Sequence, residues 1–299
     1  MKLLHNLATI LQLIRWKNLI LLLIAQSIFY LLLLFPTVKF TRIPPSFYYL
    51  MVATLSIAAA GYIINDFFDI VCDRINKPKK TYITTHISKK RALYLYGILN
   101  FIGLYAGIQL CILLEKGTYS IVFLSIVFSL YAYSKYLKKT PLVGNILVSI
   151  LVVSNTLILY YFPFGEPVKE TTLLLQFSLF AFCINILREM VKDLEDINGD
   201  YNAGMRTLPI VLGRERSIKV ILSFTCITVF LFIRFCLVQL DEKTYFQVTF
   251  FLTIIAPLFY FMMQLHASKT KGHFNKMSLL LKRILIVGLL FITLLCYIN

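Results

Sequence analysis

Apolar residues run along this chain in long blocks, and polar and charged residues collect between them. A block of about 17 to 25 apolar residues, wound as an α-helix, crosses the ~30 Å hydrocarbon core of a bilayer. Nine spans are expected on this basis, over residues 19–36, 46–64, 93–114, 120–133, 142–162, 171–186, 220–240, 245–265 and 284–299. No small-residue cleavage site follows the first block, so it is expected as a retained span and not a signal peptide. Ahead of it, residues 3–14 repeat apolar positions at helical spacing, the pattern of a helix lying along a membrane surface. The expectation is a single all-α polytopic membrane domain over 1–299. It has an interfacial helix in 1–18 and cytoplasmic loops at 65–92 and 187–219.

Composition sharpens this picture. The 299 residues are 59% hydrophobic and 15% charged, with a mean hydropathy of +0.79. Soluble globular chains carry about 25% charged residues, so soluble enzyme folds are excluded. The net charge of +16 is explained by topology without a nucleic-acid partner. The N-terminus and the even-numbered connections hold 24 Lys and Arg, the odd-numbered connections hold 5, and Arg234 lies inside the seventh span. The positive-inside rule then puts the N-terminus in the cytoplasm and the C-terminus outside, as in an inner (cytoplasmic) membrane protein. Trp16, the sole tryptophan, falls at the interface where indoles commonly anchor. The six cysteines have no paired spacing and read as thiols, with neither a disulfide framework nor a zinc site.

The acids carry the chemistry because they are few. Of seven aspartates, six form two triplets: Asp66, Asp69 and Asp73 after the second span, and Asp193, Asp196 and Asp200 after the sixth. Each member of the second follows its counterpart in the first by 127 residues, so the carboxylate pattern is an internal repeat. Positions i, i+3 and i+7 share an arc of about 60° on a helix. Like charges crowded that closely repel and require a cation. Mg²⁺, a hard ion, takes a few carboxylates and fills its shell with water and phosphate. Two acidic helix ends facing each other would hold Mg²⁺ with a diphosphate bridging between them.

The segments themselves are recognisable. Asn65-Asp66-Phe67-Phe68-Asp69-Ile70-Val71-Cys72-Asp73-Arg74-Ile75-Asn76-Lys77-Pro78 resembles the first aspartate-rich motif of the UbiA-type intramembrane prenyltransferases, N-D-x-x-D-x-x-x-D-x-x-N-x-P. Asp193 to Asp200 is similar to the second, D-x-x-D-x-x-x-D. The run from Arg188 to Asp200, followed by Arg206-Thr207-Leu208-Pro209 and Gly213, is most similar to the digeranylgeranylglyceryl phosphate synthase branch. Thr85-His86 stands where relatives commonly place Ser-Gly, and Lys79 and Lys80 stand where an arginine is frequent.

The resemblance implies an Mg²⁺-dependent prenyltransferase with a prenyl diphosphate donor and a lipid or aromatic acceptor, and a nine-helix bundle with a cytoplasmic-side active site. Its branch transfers geranylgeranyl to geranylgeranylglyceryl phosphate in ether-lipid synthesis. By family position it implies Asn65, Asp66, Asp69, Asp196 and Asp200 as metal residues, with Asp69, Asp73 and Asp193 in catalytic roles. Tyr131 and Lys135 match the family's Y-x-x-x-K pattern, and their i, i+4 spacing puts them on one helix face. Lys135, with Arg15 and Asn18 in an R-x-x-N element and with Arg188 and Lys192, is the candidate set for diphosphate. Arg188 and Lys192 equally suit Glu189 and Glu195 as partners, and Arg206 is a weaker phosphate candidate. Ala58-Ala59-Ala60-Gly61 suits close approach of a neighbouring helix. A cation-coupled transporter is the competing class, and it would require the carboxylates to lie midway along their spans.

Overall fold

The computed structural model describes residues 2–34, 43–78, 81–162, 171–239 and 244–298. Lys79, Lys80 and the end of the first expected span at Pro36 lie outside them. The described residues form helices joined by short turns and loops, with an isolated bridge between Ile83 and Ile87. In chain order these are α1 (Lys2–Leu13), α2 (Trp16–Ile28), α3 (Pro45–Phe68), α4 (Ile70–Asn76), α5 (Lys89–Leu113), α6 (Ser120–Lys135) and α7 (Val143–Tyr161). They continue as α8 (Thr171–Asn202), α9 (Leu208–Leu212), α10 (Arg214–Gln239), α11 (Thr244–Phe250), α12 (Ala256–Ala267) and α13 (Lys271–Ile298). Among the described residues, eight segments are long and apolar enough to cross a membrane, and the bent pair formed by 7–13 and 16–31 makes up to nine. The protein is therefore an integral membrane protein.

The helices overrun the apolar blocks. The fourth span, expected over 120–133, extends over Gly117–Lys139, and the last begins at Lys271. The expected interfacial helix ends sooner than 18, because the chain breaks at Arg15, whose φ of 52° is left-handed. Both acid motifs, expected on loops, are helical in large part. Asn65 and Asp66 lie in the last turn of α3, and Asp193, Asp196 and Asp200 all lie within α8. Hydropathy registers only the length that must be apolar, whereas backbone hydrogen bonding carries a helix on into water. The 32 residues of α8 make a rod of about 48 Å, longer than the ~30 Å core.

The chain forms two compact units, 1–138 with 154–174, and 139–153 with 175–299. In the first, α5 carries the small-residue pair Gly103 and Gly107. A methyl carbon on Gly103 would lie 2.6 Å from Ile57 of α3, and one on Gly107 would lie 2.6 Å from the ring of Phe123 on α6. Glycine at i and i+4 lets helix backbones close in where lipid gives apolar surfaces no reason to prefer each other. The expected small-residue approach on α3 is present as well: Ala59 and Ala60 are buried, and Gly61 abuts Leu130. Fully buried Gln26 accepts from Thr54 Oγ1 at 3.0 Å and donates to the Asn155 carbonyl at 3.3 Å, satisfying polar groups away from water. In the second unit, Gly288 of α13 admits Phe180 of α8, with only 2.2 Å available to a methyl carbon.

Candidate functional site

The first acid motif sits where α3 stops and α4 starts. Asp69 is the hinge residue between them, with φ −90° and ψ 3°. Leu13, Ile63, Ile70, Ile83 and Ala92 form a buried cluster beneath it, which anchors the acid-bearing turn on its apolar side. Asn65 donates to Asp69 Oδ2 at 2.9 Å. Arg15 donates to Asp66 Oδ1 at 2.7 Å and lies 4.9 Å from the centre of the Tyr62 ring. The left-handed backbone at Arg15 turns α1 into α2 and aims the guanidinium at the acid. Asn18 is half-buried in the first turn of α2.

The lysine that reaches this motif is Lys138. Its ammonium donates to Asp69 Oδ1 and lies 3.5 Å from Asn65 Oδ1. Lys135 instead donates to the hydroxyl of Tyr131 at 3.3 Å and sits over the ring of Tyr136 at 4.9 Å. The Tyr131 ring meets the edge of Phe68, 5.8 Å centre to centre. The Y-x-x-x-K resemblance singles out Lys135, and Lys135 and Tyr131 do share a face of α6. The chain leaves α6 at Tyr136 and makes a short 3₁₀ turn over Leu137–Lys139, which redirects the next lysine toward the acids. Burial pushes the Asp73 carboxyl up to about 7, with the charges of Asp69 and Asp66 adding to it and Lys77 opposing.

The second motif occupies the last three turns of α8. Asn145, at the start of α7, donates to Asp193 Oδ2 at 2.9 Å, and Asn275 of α13 donates to Glu195 Oε1 at 2.9 Å. Asp196 is half-buried and Asp200 is buried. Arg188 and Lys192 converge on Glu189, at 2.9 Å and 2.6 Å. The buried Nε–H of Arg188 has no hydrogen-bond acceptor among the described residues, so this side chain keeps a donor for an anion. Arg206 is held by its backbone, its N–H on the Lys139 carbonyl at 2.9 Å. Asn145 and Lys138 are not marked out by sequence, since an amide and one of three lysines near a helix end carry no distinctive spacing.

Among the described residues no three His, Cys, Asp or Glu side chains gather into a ready metal cluster. The donors nevertheless suit a hard cation. They are carboxylate and amide oxygens, and the Lys138 ammonium already rests between two of them, on Asn65 and Asp69. Asn65, Asp66, Asp69 and Asp73 in the first unit, and Asp193, Asp196 and Asp200 in the second, carry oxygens of the kind a hard cation takes.

These features define an integral membrane protein with twin acid motifs on helix ends, each flanked by cations. The chain belongs to the UbiA prenyltransferase family, whose model matches residues 27–286. Among curated relatives, digeranylgeranylglyceryl phosphate synthase of Pyrococcus abyssi is 34% identical over 57% of this chain and 58% of its own length. The enzyme of that name from Sulfurisphaera tokodaii is 36% identical over 60% of this chain and 64% of its own. The chain thus matches less than two thirds of the length of these relatives. A solved structure of digeranylgeranylglyceryl phosphate synthase in membranes is 25% identical, with a TM-score of 0.62 over 97% of this chain and 98% of that one. A UbiA homolog from Archaeoglobus fulgidus bound to GPP and Mg²⁺ shares the fold at 15% identity, with a TM-score of 0.63 over 95% of this chain and 99% of that one.

Proposed function

We propose that the protein transfers a prenyl group from an allylic prenyl diphosphate to a membrane-associated acceptor with the help of Mg²⁺. The preferred reaction is geranylgeranyl transfer to the free hydroxyl of geranylgeranylglyceryl phosphate. The observation that carries this reading is the twice-written acid motif with Lys138 seated on the oxygens of Asn65 and Asp69. A carboxylate array balanced by a lysine suits a site that receives a metal-bound anion. Support for the acceptor comes from the relatives, which carry the name of that synthase.

In this reaction the bond between prenyl C1 and the diphosphate oxygen breaks, and the diphosphate leaves with the electron pair. The acceptor hydroxyl oxygen then bonds to C1, and its proton passes to water. Asn65 and the aspartates are the residues that would hold Mg²⁺, which would supply positive charge for the departing diphosphate. Lys138 donates to phosphate oxygens, where a fixed donor in a water-poor site stabilises developing charge best. Arg15 holds Asp66 in place, Asn145 orients Asp193, and Lys135 fixes the Tyr131 hydroxyl. The motifs lie at helix ends, which suits chemistry at a membrane face better than transport through the middle. The lysine and arginine distribution supports an inner-membrane orientation with the N-terminus cytoplasmic and the C-terminus outside.

The test uses purified protein in lipid with geranylgeranyl diphosphate and Mg²⁺. Geranylgeranylglyceryl phosphate or an aromatic acceptor is supplied in separate reactions, and product is followed by mass spectrometry. Product with the glycerophosphate lipid, absent from Asp69→Ala and from chelator-treated protein, is expected. Product with the aromatic acceptor alone would overturn the acceptor assignment, and no product with either would overturn the activity.

A further inference from the structure

The second unit holds a cavity of about 320 Å³ near the ends of α8 and α10 opposite the acid motif, within the ~300–1,000 Å³ range of ligand pockets. Its walls include Phe180, Phe232 and Phe250, and the Gly288 position, where a methyl group would strike Phe180 at 2.2 Å. Its mouth is at the lipid-facing surface, since Leu179 and Val238 on the rim are 51% and 56% exposed.

Two polar groups enter this otherwise apolar space. Arg234 is exposed and neither hydrogen-bonds nor ion-pairs with any described residue. Gln176 lines the wall with its Oε1 buried and without a donor among the described residues. Gln176 lies five residues into α8 and Arg234 five residues before the end of α10, so each is about 7.5 Å from its helix end, at the same level. That is a depth from which an arginine reaches the headgroup zone. Along α8, Gln176 is twenty residues from Asp196, about 30 Å by helical rise, a full hydrocarbon thickness. The cavity therefore lies in the leaflet opposite the acid motif and is separate from the prenyl diphosphate chemistry.

A guanidinium is a planar donor fork matched to phosphate oxygens. An apolar cleft beneath it takes a hydrocarbon chain. We propose that this cavity binds one anionic phospholipid of the bilayer, its phosphate on Arg234 and its chain along the phenylalanines.

The test is native mass spectrometry on the full chain in detergent, titrated with phosphatidylglycerol or phosphatidylcholine of the same chains, with thermal unfolding in parallel. Phosphatidylglycerol is expected to bind at least about tenfold tighter, a difference of one decade in Kd, and to raise Tm more. Arg234→Gln should bring the two lipids level, Arg234→Lys should keep part of the preference, and Val238→Trp should block both lipids by closing the mouth. Equal binding of the two lipids by the unaltered protein would overturn the proposal. So would a preference that survives Arg234→Gln, or binding insensitive to Val238→Trp. Prenyl transfer is not read in any arm, so the result stands apart from the catalytic assignment.

Discussion

At the residue scale, Lys135 ends α6 and Lys138 lies in the turn that follows, and the two lysines make different contacts. Lys138 contacts Asp69 and Asn65, whereas Lys135 contacts Tyr131. Lys138→Ala is expected to lower kcat by about 10²- to 10³-fold, the usual cost of losing one fixed donor to a developing anion. Lys135→Ala is expected to cost less than about tenfold, since it only orients a hydroxyl. Steady-state rates on the two variants decide this, and the reverse order would return the role to Lys135. Asp73 gives a pH signature. Burial pushes its carboxyl up to about 7 in the folded protein, from about 4 in an unfolded chain. The folded form therefore binds the extra proton, and its stability falls as pH rises from about 4 to 7. Mg²⁺ favours the ionised carboxylate and should oppose that fall. Metal-free protein is expected to lose Tm between pH 5 and 7.5, with Mg²⁺ flattening the profile and releasing protons on binding at pH 7. An unchanged slope in Asp73→Asn would assign the effect elsewhere.

At the element scale, α5 joins its neighbours through Gly103 and Gly107. Phe123, which fills the space against Gly107, is itself packed on Phe162 with ring centres 5.6 Å apart, so it has little room to retreat. Gly107→Ala is expected to destabilise the protein by about 1–3 kcal/mol through overpacking. Pairing it with Phe123→Leu should recover much of the loss. Thermal unfolding in one detergent checks both, and a neutral Gly107→Ala would mean that α5 and α6 separate freely. The continuity of α8 matters in the same way. It joins apolar turns at one end to Asp193, Asp196 and Asp200 at the other, so that the acids are held on a rigid rod and not on a loop.

At the scale of the whole molecule, the charge asymmetry predicts which segments face which compartment. Thr85 and Lys116 are both exposed on connections at opposite ends of α5. A cysteine placed at Lys116 should react with a membrane-impermeant maleimide in intact cells. One placed at Thr85 should react only after the membrane is opened. The opposite pattern would invert the orientation and put the acid motifs outside.

The sequence by itself determined that the chain is a helical membrane protein. Hydrocarbon thickness imposes a minimum apolar length, and an apolar block of that length has few other structures open to it. It also determined the two acid motifs, because repeated aspartates at i, i+3 and i+7 are conspicuous in a chain with seven aspartates. Helix ends were less legible, since they depend on caps such as the Ser88 hydroxyl accepting from Arg91 N–H and not on hydropathy. Only the tertiary structure decided which cation serves which acid. Arg15 reaches Asp66 across 51 positions and Lys138 reaches Asp69 across 69, and no local spacing encodes such pairings. Asn145 and Asn275, the donors to the second motif, were invisible for the same reason. Amides are chosen by where folding brings them, and the lipid-facing cavity around Arg234 and Gln176 exists only once α8 and α10 stand side by side.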